Sequence, residues 1–239
     1  MIDRTNADHE QIFRMLKQEI LRFDHKPGDV LSEHYLCQRF SLSRTPVRSI
    51  LQRLQENGLV QIVPRKGSIV TRLDYDIINQ FIYERVAVET MVLRDFILSC
   101  TPADVERVRF VYSQLEALGH TYFDDPARFE VDRFLKIDLS MHEIWFRATN
   151  KPFLWERLSS TQASYTRFCT LDIIEGSNVP DVLRDHEEML RLIDARDISG
   201  IEALMRRHLY GGIRRMGALA FTKYAGYFEP MEMSLIKND

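Results

Sequence analysis

Ser41-Leu42-Ser43-Arg44-Thr45-Pro46-Val47-Arg48-Ser49-Ile50-Leu51-Gln52-Arg53-Leu54 reads as the start and body of a helix shaped to enter a DNA groove. Ser43 is a good N-cap, and Pro46 falls in the first turn, where its missing N–H has no intrahelical partner to lose. Val47, Ile50, Leu51 and Leu54 recur at three- and four-residue spacing and form one apolar stripe. Gly58 follows as a C-terminal stop. Arg44, Thr45 and Arg48 project from the exposed side of the first turns. Arginine can meet a guanine edge bidentately, threonine a thymine methyl or a phosphate, and a helix N-terminus favours a phosphate oxygen. Taken alone, the stretch also reads as an amphipathic helix with a solvated basic face. The flanking sequence decides between the two.

Upstream, residues 8–22 carry Ile12, Met15, Leu16, Glu19 and Ile20 at helical spacing. Lys26-Pro27-Gly28-Asp29 is a turn and Val30-Leu31 a short extended piece. Ser32 caps a second helix running to about Phe40, with Tyr35, Leu36 and Phe40 expected to face inward. Only Ser41-Leu42 separates it from the helix at Ser43, a helix-turn-helix connection. Downstream, Leu59–Val63 and Ser68–Thr71 are β-branched runs around Pro64-Arg65-Lys66-Gly67, which predicts a hairpin with a basic tip. Three helices and such a wing make a winged helix-turn-helix over residues 1–73.

Charge supports that division. The net charge of −3 splits into +4 over residues 1–72 (12 Lys+Arg, 8 Asp+Glu) and −7 over the remainder (20 against 27). A basic first unit joined to an acidic second one suits a protein whose N-terminal part meets a polyanion. No apolar run approaches a membrane span, and Met1-Ile2-Asp3-Arg4 lacks the apolar segment of a signal peptide. Cys37, Cys100 and Cys169 are odd in number and scattered, which argues against a disulfide framework or a thiol metal site and for a reducing cytoplasm.

Together, Pro27-Gly28-Asp29, Leu31-Ser32-Glu33, Ser43-Arg44-Thr45-Pro46-Val47-Arg48, Leu54, Gly58-Leu59-Val60, Pro64-Arg65-Lys66-Gly67 and Val70 resemble the DNA-binding domain of GntR-family bacterial transcriptional regulators. The resemblance covers about residues 8–72 without gaps. It implies that Arg44, Thr45 and Arg48 read the major groove or clamp its phosphates, with Ser43 and His34 beside them, and that Lys66 and Gly67 at the wing tip approach the minor groove. Three residues depart from the pattern: His34 where relatives often carry Arg, Cys37 in place of a small Ala, and Ser49 in place of a common Glu. The first bears on base preference.

From Leu73-Asp74-Tyr75-Asp76 the chain reads as helices, at about 75–99, 102–118, 126–148, 151–171, 179–195 and 197–222, with Asp74 or Asp76 able to cap the first. The second domain is placed at 74–222. Residues 223–239 lack periodicity and read as a tail, docked or loose. In the helix over 126–148 the inward stripe is Val131, Leu135, Asp138, His142 and Trp145. Asp138 and His142 lie four apart and point one way. His186 sits in the stripe Leu183, His186, Leu190, Ile193, and His208 sits with Ile201, Leu204 and Met205. One inward histidine is usually a hydrogen-bonded core residue. Three, with an aspartate, on three helices of one bundle suit a divalent ion such as Zn²⁺ or Ni²⁺ with a position left open. An internal hydrogen-bond network is the plain alternative.

Asp138-Leu139-Ser140-Met141-His142, Asn150-Lys151-Pro152-Phe153-Leu154, Asp185-His186-Glu187 and Arg207-His208-Leu209 also resemble the FCD effector domain of the FadR-type GntR subfamily, over about residues 76–215. That resemblance implies an Asp138, His142, His186 and His208 metal set. It also implies an effector carboxylate met by Arg85 in the opening helix, where Arg85-Val86-Ala87-Val88-Glu89 lies. Arg85 shares a face with Ile78, Phe81, Ile82 and Val92, and the competing reading is an ion pair with Glu89 one turn away. Arg167 is a weaker candidate for the carboxylate.

The expected molecule is mainly α: a winged helix-turn-helix followed by an all-helical FCD-like bundle. It is expected to be a cytoplasmic, homodimeric repressor of a palindromic operator, with a GT…AC-type inverted core by resemblance, gated by a small carboxylate at the metal. The rival is a metal-dependent hydrolase or lyase with an appended DNA-binding domain.

Overall fold

The computed structural model describes residues 4–160, 163–174 and 178–230, which fold as two compact units. The first contains the chain up to Ile78, Ala163–Arg167 and the described residues from Ala218 onward; the second contains the rest.

In the first unit, α1 (Arg4–Leu21) is followed by β1 (Val30–Leu31), α2 (Glu33–Phe40) and α3 (Arg44–Glu56), then β2 (Val60–Val63) and β3 (Gly67–Val70). The strands form an antiparallel sheet in the order β1-β3-β2, with Val30 opposite Ile69 and Val63 opposite Gly67. This is the expected winged helix-turn-helix. The stripe Val47, Ile50, Leu51 and Leu54 is buried against Leu16, Ile20, Leu36, Leu59 and Val70. Ser41 makes the sharp turn between α2 and α3 in the left-handed region, φ 54°. Gly67 has φ +106°, and a Cβ there would come within 3.0 Å of Val30 Cγ1, so the end of the wing strand packs closely on β1.

Two local expectations fail here. Tyr35 is exposed rather than inward, because its neighbour Leu36 supplies the buried contact of α2 instead. Ser43 occupies the N-cap position of α3, but its side chain makes no cap hydrogen bond. Ser32 does cap α2, its hydroxyl accepting from the Tyr35 N–H.

The second unit is a helical bundle. Its helices are α4 (Tyr75–Ser99, whose start lies in the first unit), α5 (Pro102–Asp124), α6 (Val131–Ala148) and α7 (Pro152–Ser160). They are followed by α8 (Ala163–Ile174, whose start lies in the first unit), α9 (Val179–Ala195), α10 (Ile201–Leu209) and α11 (Gly211–Phe221, whose end lies in the first unit). Asp74 caps α4 by accepting from the Ile77 N–H at 3.0 Å. Thr101 and Asp104 form a reciprocal capping box on α5. That helix packs against α6 and α9, and α10 packs against α9. Gly119 lets α5 lie close to α9, since a Cβ there would fall 2.7 Å from Leu183 Cδ1.

The predicted helix boundaries shift in three places. The α5 helix runs six residues past 118, and 126–148 opens with a 3-10 turn at Pro126–Arg128 before α6 begins at Val131. The helix over 151–171 is described as α7 and α8 on either side of residues 161–162, and extends to Ile174; the span 197–222 contains two helices, α10 and α11. Gly217, with non-helical backbone (φ 10°, ψ −106°), kinks α11. Apolar spacing survives each of these breaks, so periodicity alone reads across them.

Candidate functional site: a buried Asp-His cluster and a basic reading helix

Four residues from three helices converge in the bundle: Asp138 and His142 on α6, His186 on α9 and His208 on α10. One ligand atom from each lies within 4.8 Å of all the others. His142 and His186 are fully buried, while the Asp138 and His208 side chains keep 14% and 6% of their surface. The centre is therefore closed on the histidine side and slightly open beside Asp138.

The proton positions follow from the partners. His142 Nδ1 lies 2.5 Å from Glu89 Oε2, and His186 Nδ1 lies 2.8 Å from the Val182 carbonyl. An ionised carboxylate and a carbonyl can only accept, so both Nδ1 atoms carry hydrogen. The two Nε2 atoms are thereby turned inward, 3.3 Å from each other, and His186 Nε2 also lies 3.3 Å from Asp138 Oδ1. Burial pushes His186 down to about 3, against the opposing pull of Asp138 and with help from the other two histidines, so its Nε2 presents a lone pair. Asp138 Oδ1 and His208 Nδ1 are buried without a hydrogen bond. Two inward imidazole nitrogens, one with a lone pair, and an unbonded carboxylate oxygen are the chemistry of a cation site, and a closed hydrogen-bond network would not leave Asp138 Oδ1 unbonded. The residues fit a divalent ion.

The surrounding charges orient this set. Glu89, fully buried, joins His142 to Arg85, whose Nε donates to Glu89 Oε1 at 2.5 Å. Burial would raise the Glu89 carboxyl, but Arg85 and His142 outweigh it and hold it at about 2. Asp138 is likewise held low: burial is outweighed by His186, His142 and His208, with a contribution from Arg85. Asp185 lies 3.7 Å from His208 Nδ1 and accepts from Arg207 Nε at 2.9 Å; Arg207 also donates to Glu188. Carboxylates behind metal-ligating imidazoles fix the ring and raise its basicity. Sequence reading placed Glu89 only as an ion-pair partner of Arg85 and missed Asp185, although Glu89 stands four residues after Arg85 on the same buried face. Arg85 has the ion pair that its competing reading required, and its charge still reaches Asp138. Arg167 does not serve as a carboxylate ligand in this arrangement, because its guanidinium binds the carbonyl and hydroxyl of Thr71.

The sign of the pH dependence follows. His186 binds a proton more weakly folded than unfolded, so its contribution is complete above pH 6.5 and is lost as pH falls from 6.5 toward 3. The depressed carboxyls of Glu89, Asp138 and Asp185 act in the same direction below about pH 4.5. The midpoint of thermal unfolding is expected to fall between pH 7 and pH 5. A midpoint that rose over that interval would contradict the neutral His186.

The DNA-facing candidates form a separate group. On α3, Arg44, Thr45 and Arg48 are exposed, as are His34 on α2 and Lys66 at the wing tip. Arg48 Nε donates to Glu33 Oε1 at 2.9 Å. Arg44→Ala and Arg48→Ala are each expected to weaken operator binding by about tenfold or more with thermal stability unchanged. Gel-shift titration checks this, and unchanged affinity in both variants would remove α3 from the interface.

Residues 8–70 match the family of bacterial regulatory proteins, gntR family, and residues 82–211 match the FCD domain. The HTH-type transcriptional repressor RspR of Escherichia coli K12 is 27% identical over 208 residues, covering 87% of this chain and 88% of RspR. The transcriptional repressor GlaR of the same strain is 26% identical over 205 residues, covering 82% and 90%. Among solved structures, E. coli McbR/YncC shares the fold with a TM-score of 0.64 at 18% identity, covering 94% of this chain and 100% of that one. No helix among the described residues is long and apolar enough to cross a membrane. A hydrolase or lyase reading of the Asp-His cluster has no support in any of these matches. The chain is a transcriptional regulator rather than an enzyme, and it belongs to the GntR family, in the group that joins a helix-turn-helix domain to an FCD domain.

Proposed function

We propose that this regulator is a homodimeric repressor of a palindromic operator, released by a small carboxylate such as a sugar acid or hydroxy acid. The observation that carries the reading is the inward-facing pair of imidazole nitrogens beside the unbonded Asp138 oxygen. In this reading Asp138, His142, His186 and His208 hold a Zn²⁺ or Ni²⁺ ion, which supplies a Lewis-acid position for one carboxylate oxygen. Arg85 lowers the cost of bringing that negative charge into the bundle, and the residual opening beside Asp138 is where the ligand enters. The repressor names of RspR and GlaR support the sign of regulation.

Exposed Tyr83, Met91 and Leu98 along α4 support a subunit interface, since apolar side chains at this spacing on one helix are commonly covered by a partner. A coupling of about 1–3 kcal/mol between effector and operator is enough to change occupancy substantially. The test is a thermal-shift screen of carboxylates on metal-loaded protein, followed by footprinting with and without the ligand that shifts. The expected outcome is a two-fold symmetric footprint that the carboxylate weakens. One asymmetric half-site protected by a monomer would overturn the dimer.

A further inference from the structure

Apart from the metal quartet, the second unit carries a groove that the function proposed above does not use. It encloses about 450 Å³ and is lined by Thr90 and Arg94 of α4 and by Ile198, Gly200, Glu202 and Arg206 before and along α10. All six residues belong to the second unit. A volume of a few hundred Å³ is that of a small-molecule site.

The polar groups of the groove are mostly donors. Gly200 stands at the N-cap of α10 with φ 77° and has no side chain with which to cap it. The first closed turn is the bond from the Leu204 N–H to the Gly200 carbonyl at 2.9 Å. The N–H groups of Ile201, Glu202 and Ala203 therefore have no intrahelical acceptor, and they stand at the positive end of the helix. Arg94 is exposed and makes no ion pair among the described residues. The Thr90 oxygen is buried and has no hydrogen-bond partner among the described residues, although a threonine hydroxyl can donate. Glu202 is the one carboxylate in the groove, and it accepts from Arg206 Nε at 2.9 Å.

Three backbone donors, a guanidinium fork and an unused hydroxyl are more than the two oxygens of a carboxylate take up. They match the three outer oxygens of a phosphate ester. Ile198 gives the organic part of such a ligand an apolar wall.

We propose that the groove between α4 and α10 is a second ligand site, taking the phosphate group of a small metabolite on Arg94, Thr90 and the N-terminus of α10. Binding there joins the outer sides of two helices and gives the regulator an input besides the metal. The site requires neither the metal nor the carboxylate, so it stands or falls apart from the function proposed above.

Inorganic phosphate is the probe, titrated into full-length protein at an ionic strength held constant with chloride. The protein is used as purified and again after chelation. A saturable rise in Tm is expected in both, with exchange at the Ile201–Ala203 amides slowed about tenfold at saturation. Arg94→Ala is expected to weaken phosphate binding about tenfold or more, and Thr90→Val about threefold. Glu202→Gln removes the like charge and is expected to tighten binding about threefold. Arg107→Ala, an exposed arginine on α5, is expected to change nothing. Metal content and operator binding without phosphate are expected to stay at the wild-type level in Arg94→Ala.

Equal losses in Arg94→Ala and Arg107→Ala would reduce the effect to general charge screening and overturn the site. Phosphate that bound Arg94→Ala as before, but not the chelated wild type, would lie on the metal centre and overturn it as well. Absence of a saturable shift in the wild type would overturn it outright. Because the full-length protein is tested in its own assembly, that result includes a partner subunit seated on Met91 and Leu98 and covering the groove beside them.

Discussion

His142→Ala yields a regulator that binds its operator but neither holds metal nor responds to a carboxylate. The expectation follows from where His142 stands: buried in the bundle, with Nε2 facing His186 Nε2 at 3.3 Å and Nδ1 held by Glu89. Removing it deletes a ligand and leaves Glu89 without its imidazole partner. Loss of an outer-shell partner alone commonly costs 10–100-fold in metal affinity, so loss of a ligand is expected to cost more than about 100-fold. Arg44, Thr45 and Arg48 lie in the other compact unit, and operator affinity without effector is expected to stay near that of the wild type. Chelator competition measures the first effect and gel shifts with added carboxylate the second. A variant without metal that kept a full carboxylate response would make the ion incidental, and the ligand would then be sought at Arg85 alone.

Glu89→Ala is expected to have the largest effect on stability. Glu89 is fully buried between Arg85 and His142 and is bonded to both. Truncating one member of a buried ionic network commonly costs about 3–5 kcal/mol, because the remaining charge stays buried without its counter-ion. In a chain of this size that corresponds to a fall of roughly 6–20 °C in Tm. The same substitution frees the His142 ring and its tautomer, so metal affinity should drop about 10–100-fold. Double substitution with Arg85→Met removes the stranded cation and is expected to recover much of the stability but not the metal affinity. Recovery of both would assign Glu89 to packing alone.

The DNA-binding half was legible because each signal there is local. The cap at Ser32, the two-residue turn before Ser43, the apolar stripe of α3 and the basic hairpin tip all depend on neighbours within about a dozen residues. The error at Tyr35 has one cause: two positions on a helix face qualify as inward, and only packing against a second element selects one. In the bundle, the quartet could be picked out because an ionisable residue in an apolar stripe is costly. Asp185 escaped notice because its neighbour His186 already occupied the stripe, and its bond to Arg207 spans 22 residues. The docked part of the tail, Tyr224–Glu229, shows no periodicity because only Phe228 and Tyr224 on it are buried, and a two-bond bridge to Leu73 leaves no alternating pattern. The break between α10 and α11 was hidden by continuous apolar spacing.

The central claim is that the Asp-His quartet is a metal centre. Elemental analysis of freshly purified full-length protein, beside His186→Ala prepared identically, tests it most directly. The carboxylate gating proposed for the bundle is built on that centre. The account predicts about one divalent ion per chain in the wild type, Zn²⁺ or Ni²⁺, and a substoichiometric amount in a folded His186→Ala. Wild-type protein that bound no divalent metal even after incubation with Zn²⁺ and Ni²⁺, or a His186→Ala variant that kept a full equivalent, would contradict it.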